Sequence, residues 1–231
     1  MLIKEVIQRI QALYSKGVKS DDSRLSSRHI YSKLKSIRGR LLYEKVNKRQ
    51  FIASINYQVL PCVELVKAPI TECPCIPPLG CCIFKTKYPL PKPISGISGH
   101  IIKSVTSLDG NIVYSELTWQ DKKYKQFDKY TSHKPDYFIS GEYLYVTAKN
   151  DAEVIRIEIL LEDPVDGYTY PMYCPDVNNS CESVFDKEFH LDNSMLDAAI
   201  ELSVQELIAV FNQAQEDSSN NTKDNPEQNT K

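Results

Sequence analysis

Apolar residues recur at helical spacing in three parts of the chain. Residues 2–14 place apolar side chains three and four positions apart, and Gly17 follows as a stop signal. Residues 27–47 repeat this spacing over more turns, after serines that can cap a helix. Residues 193–215 are apolar around more than half of the helical circumference. The pattern predicts a short helix, a longer second helix and a C-terminal helix that contacts more than one surface.

The predicted second helix combines an apolar stripe with basic residues. The stripe consists of Ile30, Tyr31, Leu34, Ile37, Leu41, Leu42 and Val46. The basic residues, mostly off this stripe, are Lys33, Lys35, Arg38, Arg40, Lys45, Lys48 and Arg49. We expect Arg38, Arg40 and Lys45 on an exposed face, which is either solvated or in contact with a partner.

Between the second and third predicted helices the pattern changes to short runs typical of β-strands. β-Branched and aromatic residues dominate after residue 50, with Gly and Pro between the runs. Asp109-Gly110-Asn111 and Ser140-Gly141-Glu142 each separate two such runs, and glycine tolerates the positive φ of tight hairpin turns. The central region is therefore expected to consist of short, mostly antiparallel strands.

Together these elements predict an α+β protein, in which an N-terminal helical hairpin and a long C-terminal helix flank a central antiparallel β-rich region. The expected parts are a helical part in residues 1–50, the β-rich region in residues 51–192 with a Cys- and Pro-rich loop at 71–82, the C-terminal helix in residues 193–215 and a polar tail in residues 216–231. The 231 residues, 42% hydrophobic and 25% charged, suffice for one large domain or two small ones.

Charge is distributed unevenly, although the net charge is only −2. Residues 1–50 contain 13 Lys or Arg and 4 Asp or Glu, residues 51–150 contain 11 and 8, and residues 151–231 contain 4 and 18. Three explanations remain open: nucleic-acid contact at the basic end, subunits that meet basic part to acidic part, or solvated helix faces of unequal charge.

Cysteine usage agrees with a reducing compartment. No run approaches the roughly 20 apolar residues of a membrane-spanning helix, and charges interrupt the N-terminus, so we expect a soluble cytoplasmic protein. The seven cysteines are then expected to be free thiols that behave as small buried hydrophobes. Their odd number also argues against a disulfide framework.

The stretch TECPCIPPLGCC, residues 71–82, is the most unusual part of the chain. Its four cysteines have one, five and no residues between them, whereas structural zinc sites pair cysteines two to four residues apart. Pro74, Pro77 and Pro78 fix φ and remove backbone donors. We therefore expect a stiff, extended loop that packs against a neighbouring surface, with no metal.

No sequence motif indicates an enzyme. The four histidines, His29, His100, His133 and His190, stand outside any recognisable nucleophile and base signature. The stretch SGISGH at residues 95–100 has two glycines but lacks the Lys-Ser/Thr pair of a phosphate-binding loop. We expect no catalytic residue, no metal and no cofactor.

Nucleic-acid binding is the alternative function. Eight basic residues lie between Arg28 and Arg49 against the single acidic Glu44, and such a helix could follow phosphates. No base-reading motif accompanies them, so contact with DNA would be electrostatic and independent of sequence.

The order of elements resembles the head-to-tail connector, or adaptor, proteins that form rings beneath the portal of tailed bacteriophages. The segments IQALYSKGVKSDDSRLSSRHIYSKLKSIRGRLLYEK, CVELVKAPITECPCIPPLGC and YTSHKPDYFISGEYLYVTA are similar to the ring proteins of crAss-like phages. The likeness covers most of residues 1–210.

This resemblance implies a non-enzymatic virion protein of the tail and neck region, assembled in the host cytoplasm. It implies a dodecameric ring that binds the portal and the next ring or tail protein, around a channel through which the genome leaves. The segment from Gln213 to Lys231 would be a portal-docking arm. The residues expected to bind partners are Arg38, Arg40, Lys45, Pro74, Pro77, Pro78, Phe211 and Gln213.

Overall fold

The computed structural model describes residues 1–17, 25–69, 83–96, 99–118, 124, 127, 129–130, 134–147, 153–174 and 183–220. For residues 211–220 the description covers the backbone. The chain divides into two compact units. The terminal unit contains residues 1–45 and 183–231, and the barrel unit contains residues 46–182.

The described residues include four α-helices, two short 3-10 helices (Ser54–Asn56 and Val184–Asp186) and nine strands. The helices are α1 (Ile3–Tyr14), α2 (Ser27–Asn47), α3 (Asp166–Thr169) and α4 (Asn193–Asn220). The strands are β1 (Gln58–Lys67), β2 (Ile83–Thr86), β3 (Ser95–Gly96), β4 (Gly99–His100), β5 (Ile102–Ser107), β6 (Val113–Glu116), β7 (Asp136–Ser140), β8 (Tyr143–Thr147) and β9 (Val154–Ile159). The three helices predicted from apolar periodicity are present.

The terminal unit brings the two ends of the chain together. The amide of Ile3 donates a 2.9 Å hydrogen bond to the carbonyl of Lys187, and the amide of Phe189 donates one of 2.9 Å to Met1. One face of α1 is buried, and α1 packs against α4. The predicted hairpin of α1 and α2 is therefore wrong: the apolar face of α1 finds its partner at the other end of the chain.

The strands of the barrel unit form a closed barrel in the order β1-β2-β8-β7-β6-β5-β9, and β9 pairs again with β1. The short strands β3 and β4 form a separate two-stranded sheet. Barrel closure gives each of the seven strands a neighbour on both sides, so that none is left as an open edge. Inward-facing side chains of the seven strands form the core of the unit.

The predicted fold class is therefore wrong in two respects. The β-rich region is a closed seven-stranded barrel rather than an antiparallel layer flanked by helices. It is also mixed, because β6 and β7 pair in parallel, with Ser115 opposite Asp136 and Glu116 opposite Tyr137. A parallel pair cannot be joined by a tight turn, and residues 117–135 supply the longer connection.

The two hairpin turns are confirmed. Gly110, between β5 and β6, has φ +73°, and Gly141, between β7 and β8, has φ +62°. A side chain at these positions would strain the backbone, so glycine allows each turn to close.

The core of the barrel unit is aliphatic, with tyrosines at its margins. Burial alternates along β9, as the period of two along a strand requires, whereas β7 and β8 each contain three consecutive buried residues. The members of the main hydrophobic cluster without any exposed surface are Leu60, Val63, Val105, Leu144, Val146, Ile155, Ile157, Ile159 and Leu161.

A β-bulge interrupts the pairing of β1 with β9. Leu60 lies opposite Ile157 and Val63 opposite Ile155, so β1 contains one residue more than β9 over this interval. Pro61 lies inside the interval, and proline has no amide hydrogen to donate to a ladder. The bulge changes the direction in which the following residues of β1 point.

Replacement of Ile157 by alanine tests the core. Ile157 is fully buried among the barrel strands, so Ile157→Ala should lower the free energy of unfolding by about 2–5 kcal/mol. The matched control is Ile112→Ala, because the side chain of Ile112 is exposed, and it should change stability by less than about 1 kcal/mol. Urea denaturation followed by circular dichroism measures both. Equal losses would contradict the placement of Ile157.

Candidate functional site

Arg38 lies in the core of the terminal unit. Its side chain is fully buried, and its Nε donates a 2.8 Å hydrogen bond to the backbone carbonyl of His190. Arg38 follows the buried Leu34 by four residues and precedes the buried Leu42 by four, so all three lie on one face of α2. The expected exposure of Arg38 is therefore wrong, because the aliphatic part of arginine can be buried when its guanidinium reaches an acceptor.

Other basic residues of α2 face the acidic C-terminal helix of the same chain. Nη1 of Arg40 lies 3.4 Å from Oε1 of Glu206, and Nζ of Lys33 lies 3.7 Å from Oε2 of Glu206. Both cations are partly exposed, so each pair contributes little to stability. The pairs nevertheless show that opposite charges at the two ends of the sequence meet within one subunit.

Two ion pairs involving α1 extend the same arrangement. Nζ of Lys4 lies 2.6 Å from Oδ1 of Asp186, and Nη1 of Arg9 lies 2.9 Å from Oδ1 of Asp197. The hydrogen bond from Lys4 to Asp186 raises the pKa of the lysine ammonium. The N-terminal helices therefore bind the C-terminal segment by charge as well as by apolar contact.

The charge gradient along the sequence disappears in the terminal unit. Residues 1–45 contain 11 Lys or Arg and 4 Asp or Glu, and residues 183–231 contain 3 and 10, so the unit carries 14 of each sign. The barrel unit carries 14 basic and 16 acidic residues. Neither unit is therefore strongly basic or acidic, and neither would attract a partner by its net charge.

The remaining sequence-predicted contact residues occupy different places. Lys45 is half-buried in the last turn of α2. Phe211 and Gln213 lie in α4, within the part whose backbone alone is described. The three prolines of the loop at 71–82, Pro74, Pro77 and Pro78, lie outside the described residues.

One exposed aliphatic group of the barrel unit is the hairpin tip, formed by Leu108, Ile112 and Val113 between and beside β5 and β6. Their side chains are 55%, 44% and 62% exposed. Single exposed aliphatic residues are ordinary, whereas three at one hairpin form a local exposed apolar patch. The sequence contained this signal, because the Asp109-Gly110 turn is flanked by aliphatic residues on both sides.

Hydrogen bonds hold the hairpin tip in one conformation. Asp109 accepts hydrogen bonds from the hydroxyl of Ser107 and from Nδ2 of Asn111, the latter at 2.6 Å. These bonds to the carboxylate lower the pKa of Asp109. The amide of Ile112 donates to Oγ of Ser107 at 3.0 Å. The aliphatic side chains therefore project from a rigid turn.

Ion pairs on the outside of the barrel also involve lysine. Nζ of Lys103 on β5 lies 2.8 Å from Oε2 of Glu158 on β9 and 5.5 Å from the centre of the Tyr57 ring. Nη2 of Arg156 lies 3.3 Å from the other oxygen of Glu158. The hydrogen bond from Lys103, with a further contribution from Arg156, lowers the pKa of Glu158. This group stabilises the β5–β9 pair.

The cysteine prediction is wrong for two residues. Cys62 on β1 and Cys174 after α3 form a disulfide, with Cα atoms 5.8 Å apart. They are separated by 112 positions in sequence, so no spacing rule could pair them. The other five cysteines lie outside the described residues.

Within the described ranges, no group of three or more His, Cys, Asp or Glu side chains is placed to hold a metal ion. None of the helices in those ranges combines the length and apolarity needed to cross a bilayer.

The comparison with known families decides the identity. Residues 5–228 match the family described as phage tail ring protein 2, of crAss-like phages. The chain belongs to this family. The resemblance to crAss-like ring proteins is thereby confirmed. No curated protein matches the chain significantly.

Family membership gives the ring protein its general role. It is a structural component of a phage tail, and a ring requires assembly with further copies or other tail components. The surfaces available for such contacts include the hairpin tip.

Truncation of Arg38 tests its structural role in the ring protein. Arg38→Ala leaves a cavity and removes the hydrogen bond to the His190 carbonyl, and should lower the free energy of unfolding by about 3 kcal/mol. Arg40→Ala is the control, because Arg40 is exposed and its ion pair contributes less than about 1 kcal/mol. Urea denaturation measures both variants, and an Arg38→Ala protein as stable as Arg40→Ala would contradict this role.

The Lys103–Glu158 pair should make stability depend on acid pH. The folded-state pKa of Glu158 is lowered, so the pair stabilises the fold above the unfolded-state pKa of about 4.3 and loses this effect as pH falls through the lower folded value. Between pH 7 and pH 3 the wild-type protein should therefore lose up to about 1 kcal/mol more than Glu158→Gln. Urea unfolding across this range measures the difference, and parallel curves would refute it.

Proposed function

We propose that this ring protein forms a closed ring of twelve copies beneath the portal, links the portal to the tail and lines the channel through which the genome leaves. The family match over residues 5–228 carries this proposal. The number of copies and the contact with the portal are inferred from the resemblance to head-to-tail connectors. The role is structural and non-enzymatic, and assembly takes place in the host cytoplasm.

The hairpin tip is the surface that we assign to contact between copies. A closed ring repeats one head-to-tail interface, so each copy presents two different surfaces. The seven barrel strands are paired on both sides, so copies of the barrel join through side chains rather than by adding strands. Leu108, Ile112 and Val113 offer a rigid apolar group for this purpose. An apolar centre is typical of such interfaces.

The end of α4 and the tail behind it are the portal-docking arm in this proposal. Among the residues of α4 whose side chains the structure describes, Leu207 is the last buried one, and the helix continues to Asn220, about 20 Å further along its axis. Ile208 and Val210 are exposed at the start of this extension. Together with Phe211 and Gln213 they form the segment that we expect to reach the portal.

The proline-rich loop at 71–82 is assigned to the next ring or tail protein. Pro74, Pro77 and Pro78 restrict φ, so this segment loses little conformational freedom on binding. Its cysteines would fill small apolar gaps in the contact.

Genomic DNA in the channel would be contacted through phosphates, without reading sequence. Lys45 is the cation of α2 that we assign to such contacts, because Arg40 pairs with Glu206 in the same chain. A separate nucleic-acid-binding module receives less support, because Arg38 is buried and Glu206 pairs with both Lys33 and Arg40.

Electron microscopy of the ring protein mixed with its portal tests the proposal. We expect rings of twelve copies seated on the portal, since the interface repeats around the portal axis. A chain that stays monomeric and ignores the portal at micromolar concentration would refute this function.

A pair of valine variants tests the hairpin tip in the same assay. Val113→Asp places a charge in the proposed contact and should abolish ring formation while the barrel stays folded. Val59→Asp is the matched control, because Val59 is also an exposed valine on a barrel strand. Rings formed by Val113→Asp would exclude the tip from the interface without refuting the ring itself.

A further inference from the structure

The Cys62–Cys174 disulfide joins the first barrel strand to the segment that leaves the barrel. Cys62 is 4% exposed, at the bulge in β1, while Cys174 is half-buried and is the last described residue before 175–182. The amide of Tyr173 donates a 3.0 Å hydrogen bond to the carbonyl of Cys62. A backbone hydrogen bond thus joins the same two segments as the covalent bond.

The bond encloses most of the barrel in one covalent loop, which begins within β1. Its two cysteines are 112 positions apart, and β2 to β9 all lie between them. A cross-link over a loop of this length removes much conformational freedom from the unfolded chain. Opening or closing the bond should therefore change barrel stability strongly without requiring a different fold.

A virion protein meets two redox environments. Thiols are kept reduced in a bacterial cytoplasm, whereas disulfides persist outside the cell. A pair of cysteines in bonding position, one accessible and one buried, can respond to this change by thiol–disulfide exchange.

We infer that Cys62 and Cys174 form a thiol–disulfide exchange site. The two cysteines are reduced during assembly, and low-molecular-weight disulfides oxidise them to the disulfide once the particle leaves the cell. The timing rests on the proposed function, whereas the exchange chemistry rests on the geometry of the two cysteines. The bond then reinforces the barrel of the released particle.

The exchange proceeds in two balanced steps. The thiolate of Cys174, the more accessible cysteine, attacks an external disulfide, and its sulfur–sulfur bond breaks as one thiol leaves. The thiolate of Cys62 then attacks the sulfur of Cys174 and releases the second thiol. The two cysteines lose two electrons and two protons, which reduce the external disulfide to two thiols.

The purified full-length chain, first reduced, provides the direct test, with oxidised glutathione as the probe. Alkylation and peptide mass spectrometry should then show Cys62 linked to Cys174, and the Tm should rise by about 10 °C. The Tm of the Cys62→Ser/Cys174→Ser variant should not respond. Thiols at Cys62 and Cys174 that stay open to alkylation after this treatment would overturn the inference.

Single variants separate the two steps. Cys62→Ser should retain one glutathione on Cys174, because no second thiol resolves the mixed disulfide. Cys174→Ser should leave Cys62 unmodified, because it is almost fully buried. The opposite pattern would show that Cys62 is the attacked residue and would refute the proposed order.

Acid-quenched infected cells and released particles test the timing. We expect free thiols at Cys62 and Cys174 in cells and the cross-link in particles. A cross-link already complete in cells would refute the timing. Absence of the chain from particles would instead refute the proposed function and leave the glutathione result intact.

Discussion

The terminal unit depends on the return of the C-terminal segment to the N-terminal helices. The buried guanidinium of Arg38 needs the carbonyl of His190, and the apolar face of α1 needs α4. Neither helix could bury its apolar face alone, because an isolated short helix is only marginally stable in water. Which basic residues remain on the surface follows from this packing.

In the barrel unit, closure of the barrel likewise depends on pairing between distant parts of the chain. Pairing of β1 with β9 joins strands at the two ends of the unit and leaves the barrel strands without open edges. The bulge at Pro61 interrupts that pairing, and the carbonyl of Cys62 accepts from Tyr173 instead. One irregularity in a strand therefore places a cysteine beside the segment that carries Cys174.

The packing of the terminal unit and the closure of the barrel together limit how the ring protein can contact its partners. The terminal unit has equal numbers of basic and acidic residues, so long-range charge attraction between basic and acidic ends is largely satisfied inside the subunit. In the proposed ring, contacts between copies would then depend on shape and apolar surface, for which the rigid hairpin tip is suited. The resulting assembly should depend less on salt than one driven by net charge.

Local features could be read from the sequence. The periodicity of α1, α2 and α4 and the turns at Gly110 and Gly141 depend on neighbouring residues, and the resemblance identified the family. The aliphatic residues of the hairpin tip could also be seen in the sequence, on both sides of Asp109-Gly110. Periodicity alone did not indicate that they are exposed.

Barrel closure, the parallel β6–β7 pair, the burial of Arg38 and the Cys62–Cys174 bond emerged only from the tertiary structure. Each joins residues far apart along the chain, and local patterns specify an element and its apolar face without specifying the distant partner that covers it.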